Sequence, residues 1–233
     1  MRILSAVLLT LVLFFSADLS SGQEPAGDFI KLPSPEVKGS VSVEEAIDKR
    51  ISIRDFSGEG LSLEQVSQLL WAAGGATSDG ITGATRAYPS AGGLYPLEIY
   101  LVAGNVQGLE SGLYRYEWRK HALIPLEKGD LREKLARAAL SQRMVREAPA
   151  VIVVAAKLEY TVRRYGQRGA ERYVSMDAGH LGENVHLQAH SLGLGAVMVG
   201  AFSDKEVKGI IGRKDEMPLY MIPVGKPALR GKQ

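Results

Sequence analysis

The run APAVIVVAAK, residues 148–157, constrains the fold more than any other stretch of this chain. From Ala148 to Ala156 it offers water no polar side chain, and its valines and isoleucine are β-branched, which favours a strand. A strand that is apolar on both faces must be covered on both faces. The chain therefore needs a sheet with other elements packed against it, and the remaining sequence supplies them. LEIYLVAG (97–104) reads as a second strand, and GLYRYEW (112–118) with ALIPL (122–126) as a hairpin. VSVEEAIDKR (41–50) and LSLEQVSQLLWAAGG (61–75) read as helices, capped by Ser42 and Ser62, the second stopping at Gly74. Residues 130–147 read as one amphipathic helix and 176–195 as a long helix ending in glycines, with Gly195 closing its last turn. A strand over 196–200, a short helix near 204–211 and a last strand over 219–225 complete an α+β layered domain, with residues 75–88 as a polar loop.

Composition excludes several function classes. The 233 residues are 45% hydrophobic and 23% charged, enough for one substantial core. A net charge of +2 without a basic tract argues against broad nucleic-acid binding. The absence of cysteine removes disulfides, thiolate chemistry and cysteine metal ligands. No internal repeat is visible. At the start, Arg2, an apolar run from Ile3 to Phe15 and the small residues Ser20 and Gly22 have the form of a signal peptide over 1–22, cleaved before Gln23. Export to the periplasm or medium follows, with no stable membrane insertion after cleavage; an uncleaved anchor is the alternative. Residues 23–40, rich in proline and glycine, read as a flexible leader, leaving 41–233 as the domain.

Three stretches bear on chemistry. In RISIRDF (50–56), Arg50, Ser52 and Arg54 alternate with Ile51 and Ile53. An extended backbone would turn the three donors to one face, able to hold an anion, and the isoleucines into the core. In YPSAGGLYPLEIYLV (88–102), prolines flank a small loop whose free N–H groups and missing side chains would let a flat ligand approach. A solvated edge and a plain turn are the ordinary alternatives. His186 and His190 share a helix face with His180 and Asp177 upstream, but HLQAH lacks a general-base glutamate and a third ligand, so we read packing histidines and no metal site. The Gly193-x-Gly195 pair has Met198 at the third fingerprint position and precedes a strand, so it is no dinucleotide loop. Ser90 lacks the Gly-x-Ser-x-Gly setting of a hydrolase nucleophile. Asp177, His180, Glu183 and Asn184 form a polar helix face without an assigned role.

Taken in order, RISIRDF, LSLEQVSQLLWAAGG, PSAGGLYPLEIYLV, GLYRYEW, residues 164–202 and IPVGKP resemble the nitroreductase superfamily, and within it the SagB-type dehydrogenase branch, over about residues 41–229. The resemblance implies an α+β nitroreductase-like fold, a central mixed or antiparallel sheet flanked by helices, and an FMN-dependent oxidoreductase. It implies a homodimer with shared flavin sites and NAD(P)H as a possible donor, the acceptor being a small molecule or peptide-derived. By the same resemblance Arg50, Ser52 and Arg54 hold the FMN phosphate and ribityl chain, with Lys226 and Arg230 returning to the phosphate. Pro89, Ser90, Ala91, Gly92 and Gly93 pack on the isoalloxazine of the other subunit, and Val199 and Gly200 bring backbone to its reactive nitrogen. Azoline-oxidising relatives carry a Lys-Tyr pair where this chain has Arg164-Tyr165; arginine stays protonated and cannot act as base, which leaves Tyr165 as candidate proton donor. A non-catalytic, exported flavin- or small-ligand-binding protein is the alternative reading.

Overall fold

The computed structural model describes residues 29–79 and 83–228; the segment expected to be a signal peptide, and Arg230, lie outside the described residues. Strand β7 (Ala150–Ala156) is buried at every position. It lies between β4 (Leu97–Ala103) and β9 (Met217–Gly225), with Ile152 opposite Leu101 on one side and Ile222 on the other. Beyond β4 come β5 (Gly112–Glu117), β6 (Ala122–Lys128) and β1 (Ile30–Lys31); beyond β9 comes β8 (Gly195–Ala196). Every pairing in this sheet is antiparallel.

The two-residue period of the strands divides the core in two. Ile99, Leu101, Ile152 and Val154 pack with Leu69, Leu70, Leu181 and Val185, which come from helices α2 (Leu63–Gly74) and α6 (Val174–Ser191). Tyr100, Val102, Val151 and Val153 face the other way. They meet Leu135 of α3 (Arg132–Ala138), Val145 of α4 (Arg143–Glu147) and Val207 and Ile210 of α7 (Asp204–Ile211). Helix α2 starts at a full capping box, Ser62 with Gln65. Helix α1 (Val43–Lys49) starts where Ser42 Oγ accepts the Glu45 N–H at 3.1 Å.

Several local expectations give way. The polar loop over 75–88 holds a small antiparallel pair, β2 (Ala76–Asp79) and β3 (Gly83–Arg86), in which Thr77 and Thr85 share a 2.6 Å hydrogen bond. The single helix over 130–147 breaks at Leu140 and Ser141, both left-handed, so that Val145 folds back into the same core as Leu135. Helix α6 ends at Ser191 with Gly193 left-handed, whereas Gly195 has joined the sheet against Ile53. The strand over 196–200 shrinks to β8 and an isolated bridge from Val199 to Met221. The second half of the leader is pinned: Leu32 is buried, Ser67 Oγ donates to Pro33 O at 2.6 Å, and Gln68 bonds both backbone groups of Glu36. Helix α5 (Leu158–Tyr165) and the π-turn over Gly169–Tyr173 have no counterpart in the sequence reading. Among the described residues no helix is long and apolar enough to cross a membrane.

Truncating the centre of β7 tests this layering. Ile152→Ala is expected to cost about 2–5 kcal/mol, read as a lower urea midpoint at unchanged slope.

Candidate active site

Three segments far apart in sequence lie side by side at one corner of the sheet. The stretch 50–57 leaves α1 and runs along β8, where Ser52 bridges Ala196 and the Ile53 N–H donates to Ala196 O at 3.0 Å. Farther on it meets the tail of β9: Ser57 N–H donates to Lys226 O and Ala228 N–H to Asp55 O, both at 2.9 Å. This sets the segment that carries Arg50, Ser52 and Arg54 alongside the segment that carries Lys226. The expected alternation holds only in part. Ser52 and Arg54 are exposed and Ile53 packs on Gly195, but Ile51 is 63% exposed, because the segment borders the sheet by bridges at one edge and its outer side has nothing to pack on.

The cations here are available. Arg50 Nε stands 3.9 Å from a Glu183 oxygen, and Lys226 Nζ meets Glu59 at 2.5 Å. Exposed pairs of this kind contribute little and are screened by salt, so an anionic ligand could displace them. Arg54 has no ion pair among the described residues. Beside Arg50 a cavity of ≈ 210 Å³ is lined by Lys49, His186, His190, Ala196 and Pro227, and no carboxylate residue lines it. That donor set suits a phosphate monoester. His186 serves the framework, since its Nε2 donates to Ala196 O at 2.9 Å, the same carbonyl that Ile53 uses. Burial pushes its pKa down, so it stays neutral. No group of metal-ligating side chains occurs among the described residues.

The Ser90–Gly93 loop sits toward the other end of α6. Asp177, which bonds it, precedes His186 by nine positions, about 14 Å along the axis. Ser90 Oγ donates to Asp177 Oδ2 at 2.5 Å and Ala91 N–H to Oδ1 at 3.3 Å. Pro89, Gly92 and Gly93 are exposed, and Gly92 and Gly93 are left-handed (φ 63° and 65°). The Tyr165 hydroxyl lies so close over Gly92 that a Cβ there would displace the ring. The Tyr165 ring meets Tyr173 edge-on at 5.0 Å, and the Arg164 guanidinium stands 5.9 Å from its centroid. Val199 and Gly200 separate in role: the Val199 N–H is spent on Met221 O at 2.8 Å, which leaves Gly200, exposed, to offer backbone to a ligand.

Sequence reasoning missed the residues that hold the loop's flanks. Asn184 Nδ2 donates to Ala87 O at 2.8 Å and to Ala72 O at 3.3 Å. The buried Arg86 donates to Gly74 O at 2.7 Å and Leu97 O at 3.0 Å. The only signal was spacing: Asp177 and Asn184 stand two helical turns apart on one face.

The sequence pattern of the nitroreductase family matches residues 47–226, from α1 through Lys226. The chain belongs to that family. It is 40% identical over 200 residues to a nitroreductase of Methanocaldococcus jannaschii, covering 86% of this chain and 98% of that protein. A nitroreductase structure from Ralstonia eutropha superposes with a TM-score of 0.73 at 27% identity, over 87% of this chain and 90% of that one. The trifolitoxin-processing protein TfxB of Rhizobium leguminosarum bv. trifolii is 30% identical over 113 residues, 47% of this chain and 30% of that protein. As a nitroreductase-family member the chain is an oxidoreductase with an α+β fold.

The neutral state of His186 gives a pH test. An unfolded histidine takes up a proton near pH 6.5 while the buried one resists, so the unfolded state binds more protons below that pH and stability falls as pH drops. His186→Gln, which keeps a donor and cannot titrate, should lose less melting temperature than the wild type between pH 7 and 5.5.

Proposed function

We propose that this nitroreductase-family protein is an exported, FMN-dependent oxidoreductase that works as a homodimer with shared flavin sites. The observation that supports the reading is the convergence of residues 50–57, 195–200 and 225–228 at one corner of the sheet, which puts the segments of Arg50, Arg54 and Lys226 side by side with Gly200 exposed. FMN, when bound, supplies hydride and electron transfer between a donor and an acceptor. Arg50, Arg54 and Lys226 hold its phosphate, Ser52 the ribityl chain, and the Gly200 backbone faces the ring. Arg230 is proposed as a further phosphate ligand on the resemblance alone. NAD(P)H is the donor usual in the family; outside the cytoplasm a substrate oxidised directly takes its place. The acceptor class is a small molecule or a peptide-derived group, the latter supported by the likeness to the trifolitoxin-processing protein. Tyr165, beside the glycine loop, is the proton donor we assign.

The dimer reading rests on surface chemistry. Val37 (77% exposed), Val43 (65%), Ile47 (59%) and Ile51 (63%) leave the outer side of α1 and its flanks apolar and uncovered. Next to them runs a cleft of ≈ 650 Å³ between residues 34–43, α2 and α6. Only Ala46 of α1 is buried, so the helix has most of its apolar face free for a second copy. The Ser90–Gly93 loop, about 14 Å along α6 from the arginine corner, would then serve the partner's flavin.

Purified mature protein should be yellow, and residues 1–22 should be absent from its N-terminus. Arg50→Ala with Arg54→Ala should strip FMN from a folded protein, since each charge-assisted bond contributes about 1.5–3 kcal/mol; flavin content equal to the wild type would refute the phosphate assignment. In a dilution series followed by light scattering, added FMN should hold the dimer together, and Ile47→Asp should yield a monomer with weak flavin binding. A monomer saturated with flavin at unchanged affinity would rule out the shared site.

A further inference from the structure

Asp177 is a buried acid that no step above uses. Only 2% of it is exposed, and burial pushes its pKa up, which marks the carboxylate as costly where it stands. An apolar side chain would fill the same place between α6 and the loop without that cost. What the carboxylate adds is two acceptor oxygens aimed at consecutive residues, the Ser90 hydroxyl and the Ala91 N–H. The Ser90 oxygen in turn accepts the Tyr95 N–H at 2.9 Å, so one hydroxyl links the carboxylate to the far side of the loop. Gly93 N–H closes on Ser90 O at 3.0 Å. These bonds bend the backbone so that Gly92 and Gly93 enter the left-handed region and form the exposed crest. Tyr165 presses on Gly92 from the other side. Asn184 and Arg86 hold the flanks but touch neither Ser90 nor the glycines.

We propose that Asp177 is a positioning residue for the cofactor: acting through Ser90 and Ala91, it fixes the glycine crest in the shape that meets the flavin ring. This rests on the FMN reading above. The carboxylate itself is buried, with both oxygens bonded to Ser90 and Ala91. Its effect should therefore appear at the ring and be absent at the phosphate.

The test compares Asp177→Ala, Asp177→Asn, Ser90→Ala and Arg50→Ala with the wild type. For each, the FMN dissociation constant, the visible spectrum of bound flavin and the melting temperature of the flavin-free protein are measured. Asp177→Ala and Ser90→Ala should each weaken FMN at least tenfold and shift the flavin absorption bands. Asp177→Asn, with one acceptor oxygen left, should fall between, and Arg50→Ala should weaken binding with the bands in place. The double variant Ser90→Ala/Asp177→Ala should lose less than the sum of the two single losses, because both single variants remove the same Ser90–Asp177 bond. Additive losses would overturn the inference, as would variants that bind FMN with wild-type affinity and spectrum. Should Asp177→Ala not fold, Ser90→Ala, which loses only a hydroxyl, decides the question. Wild-type protein that takes up no FMN would overturn the flavin reading itself, an outcome distinct from flavin-bound variants that match the wild type.

Discussion

Strand β7 has no side chain that gains from water, and the rest of the molecule is arranged to keep water from it. Its two faces need two covers, which is why α2 and α6 lie on one side and α3, α4 and α7 on the other. Its two edges need partners, and β4 and β9 provide them through seven-residue registers. An antiparallel sheet with both faces buried is less common than one with a wet face, and it leaves the chemistry to the sheet's corner and to the loops.

Helix α6 converts that burial into position. Along one helix, Asp177 bonds the glycine loop, Asn184 bonds Ala87 and Ala72, and His186 bonds the Ala196 carbonyl. Each is a polar side chain on α6 whose hydrogen bond fixes where a neighbouring segment runs. The Ala196 carbonyl is one such junction. By accepting from both His186 and Ile53 it ties helix, sheet and arginine segment together, and so determines where Arg50 and Arg54 stand.

Polar groups elsewhere in the fold serve stability in the same way. Tyr100 donates to the buried Glu216 at 2.6 Å, and Lys157 joins Glu216 and Glu98 where β7 ends and α5 begins. Burial pushes the Glu216 carboxyl up, against the hydrogen bond from Tyr100. Glu216 is held by partners because an unpaired carboxylate at that depth would cost several kcal/mol, in the ~3–5 range. Lys157 N–H also donates to Pro96 O, so this network and the glycine loop share a boundary.

By itself the sequence determined the layers and most elements: the apolar run of β7, the Ser42 and Ser62 caps, the alternation of β4 and the family pattern from 47 to 226 are all local signals. It also singled out Arg50, Ser52, Arg54 and Lys226, because clustered donors and motif order survive without coordinates. Local signals could not give the pairing of β2 with β3, whose threonines carry no apolar period, or the break at Leu140 and Ser141, where no glycine announces a left-handed turn. Nor could they show that Ile51 stays exposed, that the Val199 N–H is already engaged, or that Asp177 holds Ser90 across 87 positions of chain. Those depend on which segments become neighbours, and burial of a shared core decides that only when the whole chain has folded.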